Sequence, residues 1–186
     1  MTIRKKTLIP IEELTLSDRK NFLLDAQREG ISRAITAGFA TSEAGLNIRH
    51  AQLTQDFGSA AALNFWNTTA LAAVGTAYSV FPAAATPAVP NNQIMVFYGA
   101  GCSTAPLPVS LLAFRQGVGG GTTYAVFDME QLINQLRPQG LFSEPIVYVR
   151  NEVMNITVIC RILTNLPANV QLGCYVVEAL GATVSN

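Results

Sequence analysis

The sequence predicts a mainly β fold, a β-sandwich or jelly-roll body carrying an N-terminal helical arm, and three observations lead there. Short runs rich in β-branched and aromatic residues recur along the carboxy-terminal half, separated by Gly, Pro and Asn turn signals. Only the leading segment carries apolar residues at helical spacing. Charge divides the chain in the same place: eleven of its 24 charged residues fall in the first 30 positions, whereas Phe57 to Phe114, 58 residues, holds no Asp, Glu, Lys, Arg or His. These boundaries give an arm at 1–56 and a β domain at 57–186.

The arm is read as a helix that Ser17 caps and Asp18 favours electrostatically, with Leu24, Ile31 and Ile35 on one face and Gly30 weakening its middle. A single amphipathic helix needs something to pack on, either the following domain or a neighbouring subunit. An Ala/Pro-rich linker, Ala83 to Pro90, leads to the strands NQIMVFYGA, PVSLLAFRQ and TTYAVFD; the second is apolar on alternate faces, as in a strand buried on both sides. A short helix is expected over MEQLINQL, capped by Asp128, and is followed by PIVYVR, VMNITVICRIL and VQLGCYVVEAL. That makes six or seven strands, with no internal repeat.

Composition excludes several classes of partner. Net charge is zero, and charged residues are 13% of the chain, about half the usual share. No basic surplus exists to neutralise a nucleic-acid backbone. The one basic cluster, Arg4, Lys5 and Lys6, reads as a solvated terminus or an interface anchor. Pro10, Glu12 and Glu13 interrupt the amino terminus before any signal-peptide run can form, and the Ala/Thr/Pro-rich stretch after Asn67 is too weakly apolar to span a membrane. An uncharged stretch of such length is either buried within its own fold or covered by other chains, and its Ala, Thr, Asn and Pro content favours the second.

Candidate chemistry is sparse. The run GVGGGTT, with four glycines between Gly117 and Gly121, lacks the lysine of a phosphate loop and precedes a strand, so it reads as a hairpin turn. His50, the only histidine, has no second ligand or nucleophile at motif spacing. Cys102, Cys160 and Cys174 match no zinc or redox pattern; Cys160 and Cys174 sit in apolar runs and read as small buried thiols of a reducing compartment, with a disulfide between neighbouring strands as the alternative. Asp128, Glu130, Glu144, Glu152 and Glu178 sit in cap, turn and strand-end contexts rather than as a catalytic pair. Phe65, Trp66, Tyr78 and Phe81 are packing residues or a stacking platform for sugars. No catalytic, metal or cofactor residue can be named, so the chain is read as no enzyme. The candidate protein-interface residues are Arg4, Lys5, Lys6, Leu24, Ile31, Ile35, Phe65 and Trp66.

From Asn92 onward, the segments LLAFRQG, AVFDMEQL and FSEPIVY carry a resemblance to auxiliary structural proteins of tailed-bacteriophage virions. The chain is similar there to capsid cement, or decoration, proteins. The resemblance implies a jelly-roll body, no enzymatic activity, no cofactor, and a homo-oligomer, commonly a trimer. It also implies the major capsid protein as partner, and a place in the virion capsid after synthesis in the host cytoplasm. A carbohydrate- or receptor-binding β-sandwich module of a virion fibre is the alternative from another class.

Overall fold

The computed structural model describes residues 6–52, 56–57, 66–81, 87–118 and 121–181, with 66–67 described in their backbone alone. Its strands in chain order are β1 (Leu8–Pro10), β2 (Leu46–His50), β3 (Trp66–Asn67), β4 (Ala77–Ser79), β5 (Gln93–Cys102), β6 (Val109–Gln116), β7 (Thr122–Asp128), β8 (Gln139–Tyr148), β9 (Met154–Cys160) and β10 (Asn169–Ala179). They form two antiparallel sheets. One is six-stranded, in the order β1-β8-β5-β10-β2 with β3 also on β10, and the other is four-stranded, in the order β4-β9-β6-β7.

The pairings follow one rule. β6 pairs with β7, β5 with β8, β4 with β9 and β3 with β10, each antiparallel, as if one long hairpin had been wrapped so that successive pairs fall in alternate sheets. The tip of that hairpin is the glycine run. Gly117 adopts φ +94°, and a Cβ on Gly121 would lie 1.6 Å from the Gln116 carbonyl oxygen, so both positions demand glycine. No helix follows the run; β7 does.

Alternation along the strands builds a sandwich core. Met95, Phe97, Leu112, Phe114, Phe127, Ile156, Val158 and Val176 point between the sheets and join one cluster. Phe127 and Phe142 stack across it with centroids 4.0 Å apart, and Phe97 meets Tyr148 edge-on at 5.8 Å. The opposite faces of β5 and β10 carry Ile94, Val96, Tyr175 and Val177, equally buried. Helix α1 (Leu16–Thr36) covers them.

Several expectations are corrected by α1. Its cap is Thr15 rather than Ser17: the Thr15 hydroxyl accepts from the Asp18 N–H at 3.2 Å, and the Asp18 carboxylate accepts from the Thr15 N–H at 3.1 Å. Its buried face is Ala26, Gly30 and Ala34 rather than Leu24, Ile31 and Ile35, because small residues let the helix axis lie close on a sheet of bulky valines. Leu24 and Ile31 are half-buried on the flank and Ile35 is exposed. A Cβ on Gly30 would sit 2.8 Å from a Val177 methyl and 2.9 Å from a Val96 methyl, so the glycine is the point of closest approach rather than a weakness.

β1 and β2 are strands of the six-stranded sheet and α1 packs on it. The division into an arm of 1–56 and a domain of 57–186 is therefore replaced, among the described residues, by one packed body. The expected helix over MEQLINQL shortens to one 3-10 turn, Glu130–Leu132, whose first N–H is still accepted by the Asp128 carboxylate at 2.8 Å. Met129 and Leu132 are fully buried there, which ties the segment to the core rather than to helical continuation. The linker Ala83–Pro90 lies partly outside the described residues, but Val89 is core and Ala88 bridges to Val153. The strands expected as six or seven number ten among the described residues.

Replacing Gly30 by Ala tests the helix–sheet approach. Helix propensity alone predicts a gain of about 1 kcal/mol. The packing predicts instead a loss of about 1–3 kcal/mol in denaturant unfolding, because the methyl has no room.

Candidate functional site

The two ends of the sandwich differ in chemistry. At one end the Arg49 guanidinium forks onto Asp56 at 2.6 and 2.7 Å and reaches Glu178 at 3.2 Å. Gln93 and Asn47 also donate to Glu178, at 3.1 and 3.0 Å. The Asp56 side chain is wholly buried. Hydrogen bonds donated to Asp56, with those to Glu178 adding to them, hold Arg49 more firmly charged than an ordinary arginine. This network closes the core; it exposes no group for chemistry. Sequence reasoning missed it, since Glu178 reads as an ordinary strand end.

At the opposite end four connections meet: 68–76 between β3 and β4, 103–108 between β5 and β6, 129–138 between β7 and β8, and 161–168 between β9 and β10. They are laced together by backbone. The Thr68 N–H donates to the Ala168 carbonyl at 3.1 Å and the Leu71 N–H to the Leu166 carbonyl at 3.2 Å. The Arg161 N–H donates to the Pro108 carbonyl at 2.7 Å, and the Cys102 N–H to the Pro138 carbonyl at 3.0 Å. The Asn169 N–H reaches the Thr104 hydroxyl at 2.8 Å. These bonds make the end a supported surface rather than four separate loops.

That surface presents large apolar side chains among polar ones such as Thr69, Ser103, Gln131, Asn134 and Asn165. Of ten large apolar side chains exposed among the described residues, five are here: Val74, Ile133, Leu136, Leu163 and Leu166. Leu136 is 94% exposed and Leu166 65%. Of the charged groups on the four connections, Glu130 and Arg161 pair with each other at 3.5 Å, leaving Arg137 at the rim. Exposed apolar side chains gathered at one place mark a surface that another molecule covers.

The sequence-derived interface residues do not gather. Arg4, Lys5 and Phe65 lie outside the described residues. Lys6 is engaged by Glu144 at 3.2 Å. Trp66 belongs to β3, where its backbone pairs with Val170 beside the four-connection end. Leu24, Ile31 and Ile35 belong to α1, none of them on its buried face, and α1 contributes to none of the four connections. Of these residues, only the Trp66 backbone is described next to that surface. The signal that could have found it was the set of isolated leucines in the turn segments, Leu136, Leu163 and Leu166, which a strand-centred reading passes over.

Among its described residues, the uncharged stretch is about half internal. Leu71, Val80, Phe81, Val89, the whole apolar inner row of β5, Leu107 and Phe114 belong to the sandwich core. Burial within the chain, the option the composition disfavours, accounts for about half of its described residues. Covering by a partner is left to the exposed part, 69–76 above all.

The remaining candidates are structural. His50 stacks near Tyr175 at 4.8 Å, with its Nδ1 3.3 Å from the Tyr98 hydroxyl. Tyr78 is half-buried and its hydroxyl accepts from the Ala72 and Ala73 N–H groups, while Phe81 is core. Glu152 accepts from Gln116, Tyr124 and the Val149 N–H. The three cysteines are unpaired and buried, and burial pushes each thiol above its ordinary value. No helix among the described residues is long and apolar enough to cross a membrane, and no cluster of three metal-ligating side chains occurs among them. No protein-family model matches the chain, and no curated protein is detectably similar to it.

Two predictions follow from these placements. Asp56→Ala leaves the half-buried Arg49 with Glu178 alone and lowers unfolding free energy by about 2–3 kcal/mol, below the cost for a fully buried pair, whereas loss of the exposed Arg33–Glu29 pair costs about 0.3–0.5. Because the thiolate is the reactive form and all three thiols are held protonated, the folded chain stays silent to a thiol reagent at about pH 8 and reacts only when unfolded.

Proposed function

We propose that this chain is a non-enzymatic structural protein that homo-oligomerises as a trimer and binds a capsid lattice, the major capsid protein being its partner, so stabilising a virion. The observation that carries the reading is the apolar, hydrogen-bonded end built by the four connections, with Leu136 and Leu166 at its crest. Such a surface is desolvated cheaply and needs no cofactor to associate.

The strand pairing supports the reading from another side. A four-pair hairpin wrapped between two sheets, β6–β7 innermost and β3–β10 outermost, is in keeping with our reading of the sandwich as a double-sheet jelly-roll. That architecture recurs in viral capsid and lectin domains. The resemblance read in LLAFRQG, AVFDMEQL and FSEPIVY favours the first of those two uses.

A second reading, a carbohydrate- or receptor-binding module of a virion fibre, has one observation in its favour. A groove of about 330 Å³ lies on the outer face of the six-stranded sheet, with Tyr98, Gln139 and Gln171 around a floor of glycines. An aromatic ring beside paired amides suits a sugar. A glycan array that retains nothing removes this reading.

The structural reading is tested with Leu136→Asp combined with Leu166→Asp. Both side chains are exposed, so each change alters stability by less than about 0.5 kcal/mol. Light scattering of the unaltered chain should give three times its 19.9 kDa mass, and it should sediment with purified particles. The double variant should stay folded and lose particle binding. An unaltered chain that is monomeric and stays off the particles overturns the proposal.

A further inference from the structure

The six-stranded sheet leaves part of one edge without a strand partner among the described residues. β5 pairs with Ile146, Val147 and Tyr148 on one side of β8. On the other side β1 reaches only Phe142, and one further bond runs from the Ser143 N–H to the Thr7 carbonyl at 2.9 Å. From Glu144 to Tyr148 no described strand pairs with the outward side, where Pro145 has no N–H and its carbonyl accepts from Lys6, and such an edge is a template for another chain.

A groove of about 750 Å³ runs along that edge. Ile146, Val147 and Val149 line it with apolar surface, α1 walls one side, and Tyr124 and Glu152 of the opposing sheet region wall the other. Its lining carries four carboxylates against the two cations Lys6 and Arg33; Glu152 is held by Gln116, Tyr124 and the Val149 N–H, whereas Asp25, Glu29 and Glu144 are in surface ion pairs with Arg28, Arg33 and Lys6 that an incoming cation can exchange. Lys6 already shows how a basic side chain is received: its ammonium lies 3.2 Å from the Glu144 carboxylate and donates to the Pro145 carbonyl at 3.4 Å.

We propose that this groove takes an extended, basic segment of a partner protein, which adds to β8 as a further strand. Main-chain hydrogen bonds to the Glu144–Tyr148 edge hold the segment, and lysine or arginine at alternate positions meets the carboxylates of α1. An anionic ligand is disfavoured by the same charges. The site lies on the side of the sandwich and is independent of the four-connection end, so either can fail without the other.

The probe is a labelled, acetylated peptide of alternating valine and arginine, long enough to span Glu144–Tyr148, with a valine–glutamate peptide as counterpart. Fluorescence anisotropy with the full chain should show saturable binding of the basic peptide at least about ten-fold tighter than of the acidic one. Charge reversal at two surface positions of α1, Asp25→Lys with Glu29→Lys, should weaken it about five-fold or more while the fold persists. Hydrogen exchange should slow within 144–149 when peptide is added. Equal binding of both peptides, no protection of that segment, or binding that begins only after residues 1–5 are deleted would each overturn the proposal. The last result would assign the groove to the chain's own terminus.

Discussion

The constraint on which the structure rests is that β5 and β10, adjacent in one sheet, are apolar on both faces. A sheet with one solvated face alternates apolar and polar residues, whereas Ile94, Met95, Val96 and Phe97 do not alternate at all, nor do Cys174 to Val177. Each such side chain is worth about 1.5–3 kcal/mol when buried rather than exposed. Both faces must be covered, and the chain covers them with different material: a second sheet inside and α1 outside. Ala26, Gly30 and Ala34 follow from this, because a helix laid on paired valines approaches closely only where its own side chains are small.

Covering both faces leaves only edges and ends for function. One end is sealed by the Arg49–Asp56–Glu178 network, a charge cluster whose groups are spent on one another. The other is capped by four connections that carry exposed leucines among polar residues. The β8 edge beside α1 is the third opening and is acidic where the end is apolar. Surfaces of two different chemistries on one rigid body suit a protein whose work is to hold others in place, which is how we read this chain.

Much of the sandwich was legible in the sequence. β5, β6, β7, β9 and β10 are long β-branched or aromatic runs bounded by Gly, Pro and Asn, and they lie where those signals put them. β8 was legible only from Pro145, since Gly140, Ser143 and Glu144 interrupt the apolar run of its first half. β1 to β4 are two to five residues long and are strands because of their neighbours, which no local pattern reveals. The helix was visible, but its buried face was not: the rule that large apolar residues turn inward fails when the partner surface is already bulky. The candidate site was the least legible part. Absence of charge marks burial without saying who does the burying, and the exposed leucines occur in segments that read as turns.

The central claim is that the apolar end of the four connections is covered by protein in the working assembly. Hydrogen exchange of the chain bound to purified particles, compared with the free chain, tests it directly. The account predicts slowed exchange in 68–76, 103–108, 129–138 and 161–168 together, with the Arg49 end unchanged. Unchanged exchange in all four connections on particle binding would contradict it.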